Sequence, residues 1–177
     1  APAAVTDIKI VPNADGSEGL TLTFTTPSLS IAANNLRSLS KVEIYRGETV
    51  VHTVAPVEPG KTYTWYDAAP AKGLNTYDLR AFDGELRGLA GTASGFSGFD
   101  VPGRPRNVRV TEKDGFVGLS WEAPTEGEQG GVFDKNDLSY IVLDSESNII
   151  TRVRDNDIQL SDITVRHELS GGRSLVA

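Results

Sequence analysis

A catalytic centre in this chain would have to be built from two histidines, carboxylates and hydroxyls, because the sequence contains no cysteine. His52 falls in an alternating run and His167 in a polar stretch. Neither is accompanied by a Gly-x-Ser-x-Gly or comparable nucleophile setting, and a base without an oriented nucleophile performs no acyl transfer. Both are read as surface residues. Asp67, Asp78, Asp83 and Glu85 could serve glycoside hydrolysis only if two of them faced each other across a cleft at a defined separation. Two acidic loops offer oxygen ligands to a hard cation: Asn13, Asp15, Ser17 and Glu18 in one, Asp134, Asn136 and Asp137 in the other. The first resembles the start of a calcium loop but lacks the distant bidentate Glu and most of the spacing. Asx turns joining strands are the expected role of both. The residues therefore predict no enzyme, with no catalytic residue, no metal and no cofactor.

Binding chemistry has two candidates. Arg46-Gly47-Glu48 resembles an integrin-type tripeptide but ends in Glu, and its Gly suits a strand-to-strand turn. Tyr63, Trp65 and Tyr66 could stack on a sugar, since flat rings with polar edges do so. Alternation along a strand puts Tyr63 and Trp65 on one face and Tyr66 on the other. With Trp65 turned to the core, one exposed ring remains, which is a weak platform for carbohydrate.

Composition narrows the partners further. The chain has 177 residues, 38% hydrophobic and 23% charged, which excludes wholesale disorder and collagen-like sequence. Its net charge of −7 is shared, −3 over residues 1–101 and −4 over 102–177, and no basic stripe with interleaved aromatics is present to neutralise phosphates. Nucleic acid is an unfavourable partner. No apolar stretch is long enough to span a membrane as a helix. The chain opens on Ala and contains no Met, and is read as processed or trimmed.

The elements that must carry these residues are strands. Turn clusters recur at 12–19, 46–48, 57–61, 70–73, 82–85 and 112–115, and alternating runs lie between them. In Gly19–Pro27, Leu20, Leu22 and Phe24 share one face while Thr21, Thr23 and Thr25 share the other, as a half-buried antiparallel strand requires. The same pattern predicts strands over 5–11, 40–46, 49–55, 62–67, 75–82, 88–95, 106–112, 115–122, 138–144, 148–154 and 157–163. Residues 28–39 read as a long loop containing one helical turn, because two Asn and a short length oppose a stable helix.

An internal repeat sets the domain count. Leu22-Thr-Phe24-Thr-Thr-Pro27 recurs as Leu119-Ser-Trp121-Glu-Ala-Pro124, an offset of 97, and Val42-Glu-Ile44 recurs as Tyr140-Ile-Val142, an offset of 98. Val5–Ile10 corresponds to Pro105–Val110. A spacing of about 97 residues with about seven strands is the size of an immunoglobulin-like sandwich. Two domains follow, 1–101 and 102–177, joined at Asp100-Val-Pro102-Gly-Arg-Pro105, where two prolines shorten the reach of the linker.

At these residues the chain resembles tandem fibronectin type III domains. The second copy carries the family's opening as Pro105, Asn107, Val108 and Val110, and its strand B signature as Leu119, Trp121 and Pro124. The first copy carries the strand F signature as Tyr77, Leu79 and Ala81. The resemblance implies an all-β fold of two consecutive sandwiches. It also implies a structural core containing Phe24, Trp65, Tyr77, Trp121 and Tyr140, with Trp65 sharing the filling role that Phe24 takes in place of Trp. Tyr77 would be a tyrosine-corner residue whose hydroxyl bonds nearby backbone. Adding 98 to Tyr77 reaches position 175, so the second copy would lack most of strands F and G and expose a sheet edge: either the chain is a fragment of a longer one, or a partner supplies the missing strands, or the second copy is rearranged.

In wording and loop lengths, notably at 121–134, the chain resembles modules of bacterial secreted and cell-surface multidomain proteins, which implies an extracellular location. The function expected is a non-catalytic spacer or adhesion-type protein-binding module that contacts other proteins or neighbouring domains through loops 28–39 and 125–137. Strand exchange through the incomplete second copy is a further mode. A carbohydrate-binding accessory module is the alternative.

Overall fold

The computed structural model describes residues 1–161, with side chains described through residue 156. His167, the end of the 157–163 strand and the start of strand F near position 175 lie outside the described residues. The chain folds as two compact units, Ala1–Val101 with Gln129–Phe133, and Pro102–Glu128 with Asp134–Ala177.

The first unit contains β1 (Thr6–Pro12), β2 (Leu20–Thr25), β3 (Lys41–Arg46), β4 (Thr49–Val54), β5 (Thr62–Asp67), β6 (Gly73–Asp83) and β7 (Leu86–Ser97). All are antiparallel and form two sheets, β1-β2-β5 and β4-β3-β6-β7. An antibody constant domain keeps its fourth strand with the first sheet; here β4 lies beside β3 on the second. The expected alternation is the packing: Leu20, Leu22 and Phe24 are fully buried, as are Tyr77, Leu79 and Ala81 of β6 and Val42 and Ile44 of β3. These residues form one core between the sheets, with Tyr63 and Trp65 packed against it. Trp65 is only partly buried, so Phe24 and Tyr77 supply the fully enclosed rings and Trp65 closes the side of the sandwich.

Threonine serves the solvent face of the first sheet. Thr23 opposes Thr64 and Thr25 opposes Thr62, with hydroxyl oxygens 3.1 and 3.2 Å apart. β-Branched side chains suit the pleat, and their cross-strand hydroxyl pairs stabilise it. β1 crosses toward β7, where close approach demands glycine: a Cβ on Gly91 would stand 2.2 Å from the carbonyl oxygen of Val5.

The second unit contains β8 (Arg106–Lys113), β9 (Phe116–Glu122), a 3₁₀ turn at Lys135–Asp137, β10 (Tyr140–Leu143), β11 (Ile149–Val153) and β12 (Asp157–Ser161). Its sheets run β12-β9-β8 and β10-β11, which repeats the plan β5-β2-β1 and β3-β4. The repeat extends to backbone detail. Both opening strands carry a bulge, between Thr6 and Lys9 and between Arg106 and Arg109. Each bulge holds a residue in left-handed conformation, Asp7 at φ 49° and Asn107 at φ 50°, and Asp and Asn are the non-glycine residues that tolerate it best. Asp114 and Gly115, both at positive φ, make the two-residue hairpin turn between β8 and β9. The core here is Leu119, Trp121 and Val142 with Tyr140, Ile150 and Val153 against it, and Tyr140 meets Trp121 edge-on at 5.0 Å.

Residues 28–39 hold no helical turn. The loop is fastened instead by a bridge between Leu29 and Asn35 and by bonds from Ala33 N to Ser30 O and Leu36 N to Ser28 O. The 3₁₀ turn falls in the other long loop, started by Asp134, whose carboxylate accepts from Asn136 N at 2.9 Å.

Candidate functional site

The most developed polar arrangement is buried in the first unit. Tyr63, Trp65 and Asp67 share the core-facing side of β5, opposite Phe24, Leu22 and Leu20, so the alternation that turns Trp65 inward turns Asp67 inward too. Its carboxylate, 5% exposed, accepts from the Tyr77 hydroxyl at 2.6 Å, from an Arg46 guanidinium nitrogen at 2.8 Å and from Ala69 N at 3.1 Å. The Tyr77 hydroxyl therefore bonds a carboxylate rather than the expected backbone group. A charged acceptor holds a buried hydroxyl more strongly than a carbonyl does. Burial first, and then the hydrogen bond to Asp67, push the Tyr77 phenol above its ordinary value. Arg46 also donates to Ala69 O at 3.1 Å. Its guanidinium is thus committed within its own unit, and Gly47 at φ +63° forms the turn between β3 and β4. Arg46-Gly47-Glu48 is a turn with an internal anchor.

His52 stands on β4 and stacks flat on Trp65 of β5, ring centroids 4.8 Å apart and planes at 4°. β4 and β5 are edge strands of opposite sheets, so this pair spans the open side of the sandwich. Trp65 in turn meets Tyr77 edge-on at 6.4 Å. The imidazole here packs against the side of a fold.

The acidic loops are turns. Asp15 accepts from the hydroxyl and the backbone N of Ser17 at 2.6 and 3.0 Å, and these bonds hold its carboxyl below the usual range. Among the described residues no group of three His, Asp or Glu is placed to hold a metal ion. Asp78 accepts from Thr92 at 2.6 Å on the solvent face of β6–β7, and is not gathered with Asp67, which points into the core. Of the three aromatics on β5, Tyr63 stacks on Phe24 and its hydroxyl accepts from Glu58 N. Tyr66 is 47% exposed and accepts from Asn13 Nδ2 at 3.1 Å.

Two buried carboxylates carry loops. Asp100 accepts from Gln129 N at 2.8 Å and Gly131 N at 3.2 Å, while its own N donates to Val132 O at 2.7 Å. Phe133 is buried in the same body. Half of the loop expected at 125–137 is therefore structural. Asp144, 2% exposed, accepts from Glu146 N and Asn148 N at 2.9 Å and closes the turn from β10 to β11. It follows Val142 by two and so shares its inward face, a signal present in the alternation. Asp100 follows no strand pattern, and nothing local in the sequence marks it.

In the second unit a groove of about 290 Å³ runs beside β10, lined by Trp121, Tyr140, Val142, Leu138 and the prolines Pro105 and Pro124. Trp121 is 4% exposed and its indole Nε1 is buried without an acceptor among the described residues.

No family model matches the chain, and no curated protein matches it. Among solved structures it is similar to the FN1–FN3 domains of chicken contactin, at 20% identity and TM-score 0.37, covering 92% of this chain and 56% of that one. It is also similar to the central fibronectin III array of RIM-binding protein, at 12% identity and TM-score 0.40, covering 89% of this chain and 51% of that one. Both are fibronectin type III arrays. The chain spans little more than half the length of each.

Proposed function

We propose that this chain is a non-catalytic section of a fibronectin type III array, which spaces other domains and makes protein contacts through its surface. The observation that carries this reading is the double use of one strand plan, with the same bulge and the same left-handed residue in each copy. An array built of repeated units sets distance and presents surface. The charged residues that resemble a site are used as structure, as the Arg46, Asp67 and Tyr77 cluster illustrates. A secreted or cell-surface location and a bacterial source rest on the likeness of residues 121–134 to such modules, as does an adhesion role. No helix among the described residues is long and apolar enough to cross a membrane.

Carbohydrate binding is the second reading, favoured by exposed Tyr66 beside Asn13 and the threonine face. Affinity electrophoresis through gels containing soluble polysaccharides separates the two. Unaltered mobility is expected. Retardation that Tyr66→Ala abolishes would replace the spacer reading with the carbohydrate one.

A further inference from the structure

The chain leaves the first unit after Val101 and returns to it for Gln129–Phe133. One side chain holds the returning segment. Asp100, three residues beyond the end of β7, is 7% exposed, and its two carboxylate oxygens take different donors. Oδ1 accepts from Val101 N at 2.8 Å, and Oδ2 accepts from Gln129 N at 2.8 Å and Gly131 N at 3.2 Å. The Asp100 amide completes the grip by donating to Val132 O at 2.7 Å, beside a parallel bridge between Phe99 and Val132.

The sequence of the segment fits this grip. Backbone N–H groups converge on an anion where the chain turns through a left-handed residue, and Gly130 supplies one at φ +76°. Gly131 has no room for a side chain, since a Cβ there would lie 2.8 Å from Asp100 Cβ and 2.9 Å from the Phe96 ring. Two residues on, Phe133 is 7% exposed. Gln129–Phe133 is no part of a strand ladder. Bonds to a charged acceptor are stronger than bonds to a carbonyl, so the carboxylate, rather than a sheet, sets how firmly the segment is held.

We propose that Gln129–Phe133 is a strap latched on Asp100, which closes one end of the first sandwich and opens as a single piece when that latch releases, uncovering Phe96 and Phe133 while the two sheets stay folded. Segments with few ladder bonds open at lower free energy than core strands. Closed, the strap keeps Phe133 from water. Open, it presents Val132 and Phe133 as a short apolar segment behind two glycines. The inference concerns the closure of the first unit and stands or falls separately from the spacer reading.

Hydrogen exchange on the 1–177 chain tests it. Amides of Asp100, Gln129 and Gly131 should share one opening free energy, smaller than that of Leu79 and Ala81. Asp100→Ala should speed exchange at Gln129 and Gly131 at least ~10-fold, since both lose a charged acceptor, and leave Leu79 and Ala81 unchanged. Chymotrypsin should then cut this variant after Phe133 sooner than the unaltered chain. If the variant loses protection at Leu79 as well, low urea on the unaltered chain decides: the strap amides should open together, and before Leu79. Gln129 and Gly131 amides that open independently of each other, or that Asp100→Ala leaves unaltered in a folded first unit, overturn the proposal. Strap amides that open only together with Leu79 also overturn it, by making the segment part of the core.

Discussion

Replacing Asp67 with Ala removes the acceptor around which three donors are gathered. The Tyr77 hydroxyl, on a residue with no exposed surface, would be left in the core without a partner, and the Arg46 charge would lose its counterion. Breaking a buried pair by deleting one member costs ~3–5 kcal/mol. The Arg46 side chain is 32% exposed, so water takes up part of its loss, and the lower half of that range, about 3–4 kcal/mol, is the expected effect. Tyr77→Phe removes one charge-assisted donor while Asp67 keeps Arg46 and Ala69 N, which should cost about 1.5 kcal/mol. Arg46→Ala should cost less, about 0.5–1 kcal/mol. Native-state hydrogen exchange at Leu79 and Ala81, buried on β6, reads the stability of the first unit separately from the second. An Arg46→Ala loss equal to that of Asp67→Ala would refute the reasoning, because the half-exposed guanidinium would then outweigh the other two donors to Asp67. The same cluster predicts an alkaline limit. Tyr77 titrates higher in the fold than its unfolded value of about 10. Its contribution is therefore complete below that pH and is lost as pH rises toward the folded value, by up to ~1.4 kcal/mol per pH unit. The Tyr77→Phe chain should lack this slope.

Gly91→Ala should destabilise the first unit by about 1–3 kcal/mol, since its Cβ would enter the Val5 carbonyl; thermal unfolding measures it, and a neutral outcome would mean that β1 shifts freely. Asp144→Ala should weaken the β10–β11 turn by about 1–3 kcal/mol, because three donors lose their acceptor. Asp144→Asn, which keeps an acceptor oxygen, should recover part of that in urea unfolding. Amides of Val142, on a strand that pairs with β11 alone among the described residues, should exchange faster than those of Ile44, its counterpart between two neighbouring strands; equal rates would show that β10 has a second neighbour.

Strand positions and the core faces of β2, β5, β6 and β9 were legible because period-two alternation and burial are the same fact seen twice. Leu20, Leu22 and Phe24 turn inward since a pleat leaves them no other side once Thr21, Thr23 and Thr25 face water. The destination of the Tyr77 hydroxyl was not legible as a pair. Asp67 and Tyr77 lie ten residues apart on different sheets, and only the packing of those sheets brings oxygen to oxygen. Loop structure was the least legible part. The anchor of Gln129–Phe133 is a carboxylate nearly thirty residues earlier in the chain, Asp100, which composition reads as one more solvated charge.

The comparison between copies carries more than either copy alone. Where both keep a feature, such as the left-handed Asp7 and Asn107, the backbone geometry requires it whatever the side chains around it. Where they differ, the difference is a statement about neighbours. On β3, Glu43 lies opposite Arg80 of β6 and pairs with Lys41 of its own strand, while Arg46 has its counterion in Asp67. In the second copy Ile141 stands where Glu43 stood, and Asp144, at the place of Arg46, accepts from the backbone of its own turn. β10 thus keeps the buried inner face of β3, in Val142, while its outer face is aliphatic at the position where β3 is charged, so the inner pattern is what the sandwich requires and the outer one is free to differ between copies.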